Sequence, residues 1–185
     1  MNRCIESNLK FLYPLKLCYD AQGLTLPNCE EIDFQAIPQP YQDLLVHQTD
    51  MTGTLERYHE ETIVLRVLKQ ISSADTVTRQ VILALESQSI PVEFGAIRIN
   101  LSHFGAEARE LITAGDIPLG TILKEHKVAY SNNPQSYFRV FSDPVIQKAL
   151  QMSDASWLFG RHNLHLDVNG DTMAEIVEIL PPIVK

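Results

Sequence analysis

Residues 76–101 read TVTRQVILALE (Thr76–Glu86), SQSI (Ser87–Ile90) and PVEFGAIRINL (Pro91–Leu101). Two runs of β-branched and aliphatic residues joined by a short polar link predict a β-hairpin. Upstream, Glu61–Ile71 places Ile63, Leu65 and Val67 on one face and reads as another strand. Downstream, Ala106–Ala114 is helical with Gly115 as a stop, and Pro118 opens a second helix, Leu119–His126. Asn132-Asn133-Pro134 reads as a loop, Tyr137–Phe141 as a strand, and Asp143-Pro144 as the capped start of a helix to Met152. Trp157-Leu158-Phe159, His162–Val168 and Met173–Leu180 read as strands, the last two joined by a turn at Asn169-Gly170-Asp171. Tyr41–His47 predicts a short helix, and Asp50-Met51-Thr52 a turn into a second, Thr54–Tyr58. Residues 1–38, punctuated by Pro14, Pro27 and Pro38, read as an extended arm or loose helical turns. Consecutive strands with helices inserted at two places predict an α+β fold rather than a parallel βαβ one. The expectation is one domain over 39–185, with about six mostly antiparallel strands and helices packed on them.

Two charges interrupt this apolar pattern. Arg79 shares a strand face with Val77, Val81, Leu83 and Leu85, and Glu178 with Ile176 and Leu180. An ionised group on an apolar face with its partner missing costs about 3–5 kcal/mol. Either the two pair with each other or with nearby backbone, or they hold the two ends of a small anionic ligand.

Composition narrows the classes. The 185 residues are 45% hydrophobic and 21% charged, ordinary for a globular protein with a core able to enclose a small ligand. The apolar runs fall short of the ~20 residues that span a bilayer, and Lys10–Leu17 lacks the features of a signal peptide. A net charge of −8 without a Lys/Arg cluster argues against a nucleic-acid surface. It also means that an anionic substrate needs a local positive charge, for which Arg79 is the candidate. Cys4, Cys18 and Cys29 have no metal-type spacing and fit reduced thiols in the cytoplasm.

Several chemistries lack their motifs: a Gly-rich phosphate loop, a Gly-x-Ser-x-Gly elbow and a His-Glu-x-x-His helix. No cofactor and no metal is expected. His162 and His165, three apart on a strand, read as a polar surface pair. Asp167, Asn169 and Asp171 alternate as in a calcium loop but lack its closing glutamate, so they read as a hairpin turn. His103 and His126 lie near loops with no nucleophile identified beside them. Pro118 at a helix start leaves the following amides free to face an anion, and the turn at Asp50-Met51-Thr52 offers the same.

The order of these segments resembles the chorismate pyruvate-lyase family over residues 40–182. The motifs are Asp-Met-Thr at 50–52, an Arg-centred strand at 79, the strand 91–101, Pro-Leu-Gly at 118–120, Gly-Arg at 160–161 and Glu followed by Leu-Pro at 178–181. Phe-Gly-Arg-His-Asn and Glu-Ile-Leu-Pro-Pro bring the chain nearer to a divergent branch of unassigned function. The resemblance implies a ligand buried between the sheet and helix-turn flaps. It implies that Arg79 binds a ring carboxylate, assisted by backbone at Met51 and Leu119, and that Glu178 meets a hydroxyl at the far end of the ring. Glu175 is the rival for the glutamate role. Two departures stand out: a longer hairpin after Arg79, and Ala96 after Gly95 with the arginine displaced to Arg98, which puts recognition of a second carboxylate in question.

The activity implied is conversion of chorismate to 4-hydroxybenzoate and pyruvate, feeding quinone or related aromatic biosynthesis. Hydrogen on the ring carbon bearing the hydroxyl moves to the enolpyruvyl methylene while the ether bond breaks, and aromatisation drives the step. Arg79 and Glu178 would be its catalytic residues, acting by positioning and fixed charge. The alternative is a non-enzymatic domain of the same fold that binds an aromatic carboxylate, similar to the effector domains of some transcription regulators. Those follow a helix-turn-helix, for which residues 1–38 are expected to be too short and too rich in proline. The partners expected are the small molecules alone, with no nucleic acid and no membrane span, in a monomer or weak homodimer.

Overall fold

The hairpin forms as the sequence predicts. In the computed structural model, which describes residues 10–183, β3 (Thr76–Leu85) pairs antiparallel with β4 (Pro91–Asn100), Arg79 opposite Ile97. On the far side of β3 lies β2 (Ile63–Ser72). On the far side of β4 come β7 (Thr172–Leu180), β6 (Trp157–Leu166), β5 (Ser131–Phe141) and finally β1 (Cys29–Ile32). All neighbours are antiparallel, and the described residues form a single α+β domain on one seven-stranded sheet in the order β1-β5-β6-β7-β4-β3-β2.

The seventh strand comes from the N-terminal segment, and the expectation of an arm or loose turns is corrected over its described part. Tyr13–Asp20 is a helix, α1, with Pro14 in its first turn, where a missing N–H costs nothing. Leu15, Cys18 and Tyr19 on α1 are fully buried against the sheet. β1 (CEEI) carries no apolar alternation and is held at the edge by pairing to β5, with Glu30 bonded to Arg139 at 2.6 Å. Cys4 lies outside the described residues.

Two further corrections concern strands. Asn132-Asn133-Pro134 lies inside β5, not in a loop, because this end of β5 pairs only with β6 and Pro134 sits beside a register shift. The two runs flanking Gly160 are one strand, β6, because Gly160 fits where any larger residue would meet the Phe138 ring 2.6 Å away. α6 (Pro144–Ala149) starts at Asp143, which accepts from the Ile146 N–H at 2.9 Å, and stops short of Met152.

The sheet has two covered faces. One carries Ile82, Phe94, Val177 and Phe138 under α1 and α6. The other bears Arg79 and Glu178 and is covered by two flaps. One flap is α2 (Tyr41–Leu45) and α3 (Met51–His59), over Leu83, Leu85 and Leu180. The other is α4 (Ala106–Ala114) and α5 (Leu119–Glu125), over Val77, Ile99 and Ile176. Gly115 closes α4 at φ +85°, the left-handed conformation that glycine adopts without strain.

Candidate functional site

Between the two flaps the sheet is not fully packed. A chamber of about 70 Å³ is lined by Arg79, Val81, Glu93, Ile97, Ile176 and Glu178 from the sheet, Asp50–Thr52 from the start of α3, and Pro118–Gly120 from the start of α5. His165 closes one side. A water occupies roughly 10–15 Å³ on such a measure, so the space admits several waters or a compact ligand. A wider groove of about 750 Å³, along Tyr58, Ile90, Met152 and Pro182, opens to solvent, and its Asp154 is exposed.

All four residues implied by the resemblance, Met51, Arg79, Leu119 and Glu178, line the chamber. Glu175 does not share that face; it is half-buried on the other one and bonded to His162 at 3.0 Å. Alternation explains the separation, since residues three apart on a strand face opposite ways. The same rule corrects the reading of His162 and His165 as a surface pair. Both are buried, on opposite faces, and only His165 reaches the chamber.

Arg79 and Glu178 do not pair with each other. Arg79 is 1% exposed; its Nε donates to Gln70 Oε1 at 2.9 Å, and one terminal nitrogen has no hydrogen-bond partner among the described residues. Burial lowers its pKa to about 10, opposed by the charge of Asp116. It remains a cation at neutral pH, with only its Nε given a partner among the described residues.

Glu178 is bonded instead to Arg161 Nε, on the neighbouring strand and fully buried. Arg161 also reaches the strap between α2 and α3. Its terminal nitrogens donate to the carbonyls of Leu45 (3.0 Å), His47 (3.1 Å) and Thr49 (3.5 Å), and contact His47 Nδ1 at 3.2 Å. Burial and the Arg161 charge lower the pKa of His47. One guanidinium therefore ties the chamber floor to the flap that covers it.

Asp50 caps α3, accepting from the Gly53 N–H at 2.6 Å, so the helix begins three residues before Thr54 and its first-turn amides are partly served by the protein itself. A Cβ on Gly120 would lie 3.8 Å from Asp50 Oδ1, which brings the starts of α3 and α5 together over the chamber.

Two residues of the site were missed in the sequence. Glu93 is 3% exposed on the same face, two residues from Gly95, which pairs with Glu178. Its Oε2 has no partner among the described residues. Burial first, and then the charge of Glu178, push its pKa well above the carboxylate range, with Arg161 opposing. Its signal was the one that exposed Arg79, a charge inside an apolar run. The other is His165, whose Nδ1 is also without a partner among the described residues. Burial and then Arg161 lower its pKa to about 4, and its ring lies 4.8 Å from that of Tyr130. Of the seven buried side-chain polar atoms without a partner among the described residues, three, on Arg79, Glu93 and His165, belong to residues lining this chamber, which suits a polar guest. Among the described residues no group of three His, Cys, Asp or Glu is arranged to hold a metal ion, and no helix is long and apolar enough to cross a membrane.

No family model matches the chain, and no curated protein does. Solved structures do. PhnF from Mycobacterium smegmatis superposes with a TM-score of 0.55 at 7% identity, covering 90% of this chain and 93% of that one. Its effector domain gives 0.54 at 9% identity, covering 71% and 87%. The ligand-binding domain of a Bordetella bronchiseptica protein assigned to the GntR family of transcriptional regulators gives 0.46 at 17%, covering 64% and 85%. The chain shares the fold of such effector domains, and that fold is compatible with the chorismate lyase-like architecture.

Proposed function

We propose that this chain is a small-molecule-binding domain whose chamber takes a compact aromatic carboxylate, and that it binds this ligand without transforming it. The observation that carries the reading is the Arg79 guanidinium, buried on the chamber floor with a terminal nitrogen unpartnered among the described residues. A carboxylate there gains a charge-assisted hydrogen bond and relieves an uncompensated buried cation. Val81, Ile97 and Ile176 supply apolar surface for a ring, and Glu178, oriented by Arg161, supplies an acceptor further along the floor. The likeness to a structure described as an effector domain agrees with this reading.

Chorismate lyase is the second reading, favoured by the meeting of Met51, Arg79, Leu119 and Glu178 in one chamber. In it Arg79 anchors the ring carboxylate and Glu178 orients the ring hydroxyl while the ether bond breaks.

One pair of experiments separates the two. The protein is titrated with 4-hydroxybenzoate by calorimetry and, separately, incubated with chorismate while pyruvate is measured. Saturable binding without pyruvate above the spontaneous rate supports a binding domain. Catalysed release of pyruvate and 4-hydroxybenzoate overturns it in favour of the lyase.

A further inference from the structure

The end of the chamber away from Arg79 holds more acid than base. Glu93 and Glu178 stand on neighbouring strands of one face, and Arg161 is the guanidinium beside them. Arg161 gives its Nε to Glu178 and its terminal nitrogens to the strap carbonyls. Among the described residues Glu93 therefore has no cation of its own; it lines the chamber, and its buried Oε2 has no partner among them. Burial and then the charge of Glu178 raise the pKa of the Glu93 carboxyl, with Arg161 opposing, so two buried carboxyls share one committed guanidinium. Arg79 and Glu93 lie on adjacent strands four register positions apart, about 14 Å between Cα atoms at ordinary strand spacings. That separation suits opposite ends of one compact molecule.

We propose that Glu93 is the specificity-determining residue of the chamber: it selects a carboxylate whose far end donates a hydrogen bond, and it rejects one carrying a second carboxylate there. A hydroxyl or amino group at that end donates to Glu93 or Glu178. An ammonium would neutralise the surplus acid. A second carboxylate would be the third acid around one guanidinium, the repulsive element that separates wrong ligands from right ones. Sites built from buried polar groups discriminate strongly because the wrong ligand leaves them unpaired.

The inference rests on Arg79 as carboxylate anchor, and the test keeps the two apart. The whole protein is titrated by calorimetry with benzoate, 4-hydroxybenzoate, 4-(aminomethyl)benzoate and terephthalate, as wild type, Glu93→Leu and Glu93→Gln. Wild type should bind at least one of the two donor-bearing ligands about 10-fold tighter than benzoate, and terephthalate about 10-fold weaker. The hydroxyl and ammonium arms show which donor is preferred. Glu93→Leu should level the donor preference to within about 3-fold. Should that variant not fold, Glu93→Gln, which keeps shape and hydrogen bonding, should relax the rejection of terephthalate by about 5-fold or more. Terephthalate bound as tightly as 4-hydroxybenzoate, or a ligand ranking unchanged in the folded variants, overturns the role of Glu93 and leaves Arg79 in place. Failure of folded wild type to bind any of the four overturns the anchor and this inference with it.

Discussion

Replacing Arg161 by Met should be among the most damaging single substitutions in this chain, and its partner should partly rescue it. Arg161 is fully exclusive of solvent, and Glu178 is 3% exposed. Removing the guanidinium strands Glu178 as a buried carboxylate, for which broken buried pairs give about 3–5 kcal/mol. Glu93, next to it, loses the one charge that opposes its raised pKa, and the carbonyls of Leu45, His47 and Thr49 lose their donor. Those strap carbonyls can turn toward water, so a total of about 4 kcal/mol is expected. For a chain of this length that corresponds to a fall of about 8–16 °C in Tm. In Arg161→Met/Glu178→Gln the stranded charge is gone and the methionine fills part of the space, so about 2 kcal/mol should return. Urea denaturation of wild type, both single variants and the double closes the cycle. An Arg161→Met protein within about 1 kcal/mol of wild type, or single losses that simply add, would refute the reasoning.

Two further outcomes follow, one from each face of the sheet. His165 has its pKa lowered to about 4 from an ordinary 6.5, so below pH 6.5 the unfolded chain takes up a proton that the native state refuses. Stability should therefore fall as pH drops from 6.5 toward 4, by up to about 3 kcal/mol, and His165→Asn should flatten this limb in urea midpoints; an unchanged acid slope would contradict it. Gly160→Ala should cost about 1–3 kcal/mol by thermal denaturation, since its Cβ would meet the Phe138 ring 2.6 Å away and the Glu178 carbonyl; a neutral result would mean that β6 and β7 separate more freely than their packing implies.

The sheet was legible because its strands are long and buried, so apolar periodicity survives even where Arg79 and Glu178 interrupt it. The elements missed had their signals masked. Pro14 reads as a breaker yet stands where a helix tolerates it, and β1, a four-residue charged edge strand, depends on its neighbour for definition. The site was half legible. Arg79, Glu178, Met51 and Leu119 meet at one chamber, but the partner of Glu178 is Arg161, separated from it by a hairpin. Pairing across strands depends on register, which sequence periodicity alone does not supply. Glu93 was readable by the rule that found Arg79, whereas the burial of His165 depends on the flaps that close over it.

The central claim is that Arg79 anchors a carboxylate inside the fold, and calorimetric titration of 4-hydroxybenzoate into wild type and Arg79→Met tests it most directly. Loss of a buried charge partner should weaken binding by about 2–5 kcal/mol, 30-fold or more, with the variant still folded by circular dichroism. Equal affinity in a folded Arg79→Met protein would contradict the account.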